Sequence, residues 1–360
     1  MKKALTILLA LSAIACTKSE VAYDDSNIGE ISFMPVSGNI TKAAITDGLF
    51  RKDNHIGLFA YYTPSVSADA DGAELTTADY QKFTKTFFYD TEFYCKDNTK
   101  NVWAGLASQY WPVTGSVVFA GYSLEPNGKA NNVAFDRNGT AEYVLGTDCL
   151  TISNYQQSYL TDKTYDLLYF GRTDKSYGRN TTVVPLVFHH ALAWIEIQIK
   201  GDTGSLVSGR EWAITNVEFE KINTKGTFKY TGTAGTAKWS SQTDEQNVVV
   251  FNTDDTINPA RLPQVLSNSF EVIENVDNGT LVIPQDAQKL YVTVEYQSAA
   301  DDHIVEIVEV DIPAVTPTWE AGKKYTYQLT FSPQEILVAP SVQTWPANGQ
   351  TGNVNSTPAV

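Results

Sequence analysis

Alternation with a period of two is the feature that most limits what this chain can fold into. Ile195, Ile197 and Ile199 alternate with Glu196, Gln198 and Lys200. Leu290, Val292, Val294 and Tyr296 alternate with Tyr291, Thr293, Glu295 and Gln297. Tyr325, Tyr327, Leu329 and Phe331 alternate with Lys324, Thr326, Gln328 and Thr330. Side chains of a strand point alternately to its two faces, so each run reads as a strand with one face on a core and one in water. Between residues 304 and 312 the apolar set changes parity near Ile307-Val308, which predicts a bulge or an edge. Asn-Gly at 127, 138, 278 and 348 and Asp-Gly at 47 and 71 supply hairpin turns. The best helical candidate, Asp79 to Tyr89, holds its period for only a turn or two. Many short strands with frequent turns predict an all-β sandwich architecture, and 360 residues accommodate two sandwiches.

Composition agrees and removes several function classes. Aromatics make up 12% and charged residues only 19%, which is unlike a disordered chain. Asp plus Glu outnumber Lys plus Arg by 41 to 26, a net charge of −15, with no concentrated basic patch, so phosphate backbones are poor partners.

The N-terminus reads as an export signal. Met1-Lys2-Lys3 is a short basic segment, and Ala4 to Ala15 is apolar or small apart from Thr6 and Ser12. A membrane-spanning helix needs ~20 such residues, so residues 1–15 read as a signal peptide. Ala13-x-Ala15 suits an ordinary signal peptidase. Alternatively, Cys16 directly after Ala15, followed by Thr17-Lys18-Ser19-Glu20, is a bacterial lipobox with Ala13 in place of the usual leucine. A cysteine at the cleavage point of a chain with 3 cysteines favours the second reading: Cys16 is the lipidation site, and each buried CH₂ of its acyl chains contributes ~0.8 kcal/mol to tethering. Loss of Lys2 and Lys3 takes the charge to −17.

Residues 16–29 are then a polar tether, 30–182 an N-terminal β-sandwich, 183–346 a C-terminal β-sandwich, and 347–360 a flexible tail. The boundary at 183 follows the polar stretch Lys175 to Thr182; a second candidate is the loop from Gly201 to Gly209.

Catalytic patterns are missing: the sequence has no HExxH, GxSxG, Walker loop or CxxC. No metal or other cofactor is expected. His189 and His190 face opposite sides of any strand, which predicts one packed and one exposed histidine rather than a metal site. Asp69-Ala-Asp71-Gly72 has the start of a calcium loop without its remaining ligands, and a solvated turn explains it better. Cys95 and Cys149 are either a disulfide or two buried thiols, and their spacing does not decide.

Several segments, in order, resemble the fimbrillin family of Bacteroidetes, the Mfa-like and FimA-like surface proteins that build type V pili. They are Ile31-Ser-Phe33, Thr41-Lys-Ala-Ala44, Asn54-His-Ile-Gly57-Leu-Phe59-Ala-Tyr61, Tyr110-Trp111-Pro112 with Val117-Val-Phe-Ala-Gly-Tyr122, Phe188-His-His-Ala-Leu-Ala193, Leu281-Val-Ile-Pro284-Gln285 and Trp319-Glu-Ala-Gly322-Lys-Lys-Tyr325-Thr-Tyr327. The resemblance spans Ile31 to Trp345. It implies two transthyretin-like Greek-key β-sandwiches in tandem, a non-enzymatic structural or adhesive role in fimbriae, and export to the outer membrane as a lipoprotein. Its partners are then other fimbrial subunits and a host or bacterial surface ligand.

The resemblance also implies assembly by strand addition, in which a protease removes the first strand and a neighbour's segment fills the groove. The first strand would be Glu30 to Val36. Arg51 is the cleavage candidate, with Lys42 and Lys52 behind it, although Arg51-Lys52 also reads as a simple charged loop. The donor segment would run from Ile336 to Trp345, with Ile336, Val338, Val342 and Trp345 as anchors; Pro333 and Pro340 argue against a long regular strand there. A glycan-binding surface lipoprotein of a nutrient-uptake system is the alternative function.

Overall fold

The computed structural model describes residues 29–37, 54–97, 102–105, 107–124, 139–157, 166–202, 212–232, 235–253, 263–273, 280–286, 289–297, 303–312, 318–332 and 336–344. The signal segment, Cys16, Lys42, Arg51, Lys52, Pro333, Trp345 and the tail lie outside the described residues.

The expected all-β sandwich architecture is what the chain adopts. The first sheet has the order β1 (Phe33–Ser37), β11 (Val184–His190), β9 (Leu167–Phe170), β6 (Ser116–Leu124), β2 (His55–Thr63), β4 (Lys85–Asp97) and β5 (Val102–Gly105). The second runs β16 (Glu271–Ile273), β12 (Ala193–Gly201), β20 (Lys323–Phe331) and β21 (Ile336–Thr344), with β17 (Thr280–Val282) also on β12. The third runs β19 (His303–Val310), β18 (Leu290–Gln297), β13 (Trp212–Thr231), β8 (Cys149–Gln156) and β7 (Thr140–Val144). In it β14 (Thr236–Asn252) and β15 (Gln264–Val265) also pair with β13. A two-residue ladder joins β3 (Ala73–Glu74) to β10 (Lys175–Ser176).

Three apolar clusters fill the spaces. Ile195, Ile197 and Ile199 of β12 and Tyr325, Tyr327, Leu329 and Phe331 of β20 pack against Leu290, Val292 and Val294 of β18, so all three alternating runs bury the face their sequence predicts. A second cluster lies within the curled first sheet, around Phe33, Phe93, Trp111 and Phe119. The third joins the other face of that sheet to the third, through Tyr122, Tyr143, Ile152, Tyr155 and Phe228.

β13 belongs to two of these clusters. Trp212, Ile214, Val217, Phe219 and Ile222 enter the first, whereas Phe228 enters the third. Its first half pairs with β18 and its second with β8. The division expected after residue 182 falls between β10 and β11, and the chain changes sheet between His190 and Ala193.

Two local expectations are corrected and a third, left open between two alternatives, is decided. The helical candidate forms one turn, Thr77–Tyr80, held where Asp79 accepts the Thr76 N–H at 2.9 Å, and the chain is extended again from Lys85. β19 pairs with β18 without a register shift, so the change of parity marks an edge and not a bulge; Val305 and Ile307 face outward, Ile307 at 69% exposure. β21 is a regular nine-residue strand that includes Pro340. It lies at a sheet edge, where the missing proline donor is tolerated.

Candidate functional site

The two segments singled out for assembly are both edge strands, in different sheets. β1 owes its seat to alternation: Ile31, Phe33 and Pro35 are buried, while Met34 between them is 38% exposed. It runs parallel to β11, from Phe33 opposite Val184 to Ser37 opposite Phe188. Its N-terminal end is held on both sides. The Val184 N–H donates to the Ser32 carbonyl at 2.9 Å. On the other flank the Ile31 N–H donates to the Gln109 carbonyl at 2.8 Å, and the Trp111 N–H to the Gly29 carbonyl at 3.3 Å. The lead-in residues 29–32 therefore lie between β11 and the segment 109–111, while β1 itself pairs with β11 along one side. Phe33, fully buried, plugs the floor of this seat against Phe93 and Phe119, at ring separations of 4.9 and 5.3 Å.

β21 pairs antiparallel with β20 along its whole length, from Ile336 opposite Phe331 to Thr344 opposite Lys323. Ile336, Val338 and Val342 share one face, as expected of anchors. Ile336 and Val338 are half-buried against the core, and Val342 is 47% exposed. Leu337 on the opposite face is exposed as well. No residue from Ile336 to Thr344 is charged, and among the described residues the outer edge of β21 pairs with no strand. Exposed edges are ordinarily blunted by charge, proline or a bulge; β21 has no charge and no register shift, and Pro340 is its one such device.

The remaining candidates are structural. His190 is buried with Nδ1 2.7 Å from Asp166 Oδ2, while His189 is exposed on the opposite face, the one-in, one-out arrangement that the sequence predicts. Desolvation, then the neighbouring His190, lowers the pKa of His189. Cys95 and Cys149 are both buried and are not joined in a disulfide, which leaves the buried-thiol alternative. Asp69 Oδ1 accepts the Asp71 N–H at 3.0 Å in an exposed turn completed by Gly72 at φ +85°. Among the described residues no three His, Cys, Asp or Glu side chains are placed to share a metal ion.

The sequence motifs acquire local reasons. Trp319 donates its indole N–H to the Tyr327 hydroxyl at 2.8 Å, and Gly322 turns the chain into β20 at φ +69°. The Gln285 side chain accepts the Asn223 N–H at 2.9 Å and donates to the Asn223 carbonyl at 2.9 Å, tying the loop after β17 to β13. What sequence reasoning missed is the clasp on β1. Tyr110-Trp111-Pro112 reads as part of a strand, and nothing in it reveals that its backbone holds residues some eighty positions earlier. The buried alternation of Val184, Leu186 and Phe188 was the available signal for the other wall.

A family model described as fimbrillin-like matches residues 41–345. No curated protein matches the chain. Among solved structures, a fimbrial protein from Bacteroides vulgatus is 17% identical, with a TM-score of 0.49 over 88% of this chain and 100% of that one. The tip fimbrial protein Mfa3 from Porphyromonas gingivalis, truncated at its C-terminus, is 10% identical, with a TM-score of 0.39 over 88% of this chain and 100% of that one. A fimbrial assembly protein from Parabacteroides distasonis is 14% identical, with a TM-score of 0.40 over 88% and 98%.

Proposed function

Because the chain belongs to the fimbrillin-like family, we propose that it is a non-enzymatic structural or adhesive subunit of surface fimbriae, assembled by strand addition between subunits. The observation that carries this reading is the seat of β1: an edge strand paired with β11, clasped by backbone on both flanks at its lead-in residues 29–32 and floored by the rings around Phe33. Its other half is the uncharged edge strand β21.

Cleavage after Arg51 would leave β1 held by noncovalent contacts alone. Burying Ile31 and Phe33 stabilises the fold by roughly 1.5–3 kcal/mol each. An emptied slot would thus expose apolar surface and unpaired N–H and C=O groups, which favours refilling. The refilling strand would be the neighbour's Ile336 to Trp345 segment, its backbone completing the ladder and Ile336, Val338, Val342 and Trp345 entering the floor. Two transthyretin-like sandwiches in tandem would provide slot and donor respectively, the first drawing β11, just beyond the division near 183, into its sheet.

Lipidation at Cys16 would hold the precursor at the outer membrane until the cut. Anchor and β1 lie on the same side of Arg51, so one cleavage would release both. Uncut, the subunit would stay tethered as an anchor or tip. Mass spectrometry of the native N-terminus, with and without a trypsin-like protease inhibitor, tests the scheme. It expects Lys52 without inhibitor and acylated Cys16 with it; an unacylated Cys16 at the N-terminus of both samples overturns it.

A further inference from the structure

A cleft of about 500 Å³ opens between the start of β14, Pro284 and the loop 318–321, with Tyr169 of the first sheet also on its wall. We propose that it is a binding site for a neutral pyranose, a unit of a surface oligosaccharide. The proposal rests on the adhesive side of the fimbrial reading and makes its ligand class specific.

Trp239 is the platform. It is half-buried, and its indole N–H is already committed to the Ala191 carbonyl at 2.7 Å, so the ring offers the cleft an apolar surface. Its seat is prepared by the absence of a side chain at Gly226. A Cβ there would lie 3.1 Å from Trp239 Cε3, so the ring reaches over bare backbone. Tyr155 and Phe228 brace it from other sides, with ring separations of 5.3 and 5.4 Å.

The rim supplies the polar groups. Lys238 and Glu320 are both exposed, and neither side chain forms a hydrogen bond or ion pair among the described residues. Thr318 donates its hydroxyl proton to Asp286 at 2.6 Å, leaving oxygen lone pairs free to accept. A donor cation and an acceptor carboxylate of opposite sign sum to no net charge. Their complement is a neutral molecule whose groups both accept and donate, set around an apolar face. A pyranose has that form: axial C–H bonds pack on an aromatic ring while its hydroxyls bridge the charged groups. The volume is within the usual range for small-ligand sites, which favour junctions between packed units.

Calorimetric titration of the full mature chain with maltohexaose, cellohexaose, laminarihexaose, mannohexaose and chitohexaose tests the proposal. At least one is expected to bind saturably at one site per chain. Glu320→Gln and Lys238→Gln, both on the surface, are each expected to weaken that binding about tenfold by removing a charge-assisted hydrogen bond. Gly226→Ala, which pushes the indole off its seat, and Trp239→Phe, which keeps an aromatic ring but gives up the bond to Ala191, should weaken it too. No saturable heat with any of the five sugars overturns the proposal, as does binding that Glu320→Gln and Lys238→Gln leave unchanged. The measurement uses uncleaved monomer. Failure here therefore leaves strand addition standing, and failure of strand addition does not alter the titration.

Discussion

Phe33 meets Phe93 edge to face, their ring centroids 4.9 Å apart at 72°, and this contact joins the first described strand of the chain to β4. Phe33→Ala is expected to cost the uncleaved protein about 3–5 kcal/mol, the usual range for emptying such a site. Denaturant unfolding reads this directly. If β1 is the part displaced on assembly, the same variant should polymerise faster than wild type after protease treatment, because its own plug leaves more readily. Equal rates would separate β1 from the assembly step.

Arg51→Ala should leave the precursor folded and abolish polymers, whereas Lys42→Ala should assemble normally. Gel analysis of cell-surface fractions distinguishes the two. Unchanged polymers in the Arg51 variant would remove that position from the scheme.

Deleting residues 336–345 should yield a folded monomer unable to extend a fibre. β21 sits at a sheet edge with only Ile336 and Val338 packed on the core, so the melting temperature should fall by a few degrees while circular dichroism stays β-type. A chain that unfolds outright would show that β21 is part of the core and unsuited to leave it.

Alkaline stability should fall between about pH 10 and 12. Burial, and then the neighbouring Tyr230, pushes the Tyr169 pKa up to about 12. Burial likewise raises Tyr122 and Tyr143, the latter further through Asp148, which accepts its hydroxyl at 2.8 Å. The unfolded chain loses these protons from about pH 10, while the folded chain keeps them, so the unfolded state binds fewer protons and is favoured as pH rises. Tyr169→Phe should reduce the slope of unfolding free energy against pH in that window. A slope identical to wild type would contradict the assignment.

How much of this was written in the sequence depends on what each feature needs. Ile195, Ile197 and Ile199 carry their own evidence, because alternation is local and the buried face follows from it. Lys324 does not: its position on β20 predicts solvent, yet it is 9% exposed. β12 lies beside it in parallel, so Glu196 takes its ammonium at 2.6 Å and Trp194 lies 3.8 Å beneath. The same holds for β1, whose seat is built by residues 184–188 and whose lead-in residues are clasped by 109–111. Ile307 shows the converse, an apolar residue left in water because the sheet ends there. For the cleft at Trp239, the signal is a tryptophan paired with Phe228 whose ring reaches over Gly226 two residues away, a pattern with meaning only once the pairing of β13 and β14 is known.

The twenty residues of β13 have a mechanical consequence. At about 3.3 Å per residue its contour is roughly 65 Å, interrupted by register shifts and by Lys221 at φ +53°, yet continuous through both packed halves. A fibre pulled from its ends would load the ladder between β13 and β14 in shear, along the strands and across many hydrogen bonds at once, with no slack peptide between the halves to pay out. Such a subunit would transmit tension stiffly and yield only when a whole sandwich comes apart, a useful property for a filament that holds a cell against flow.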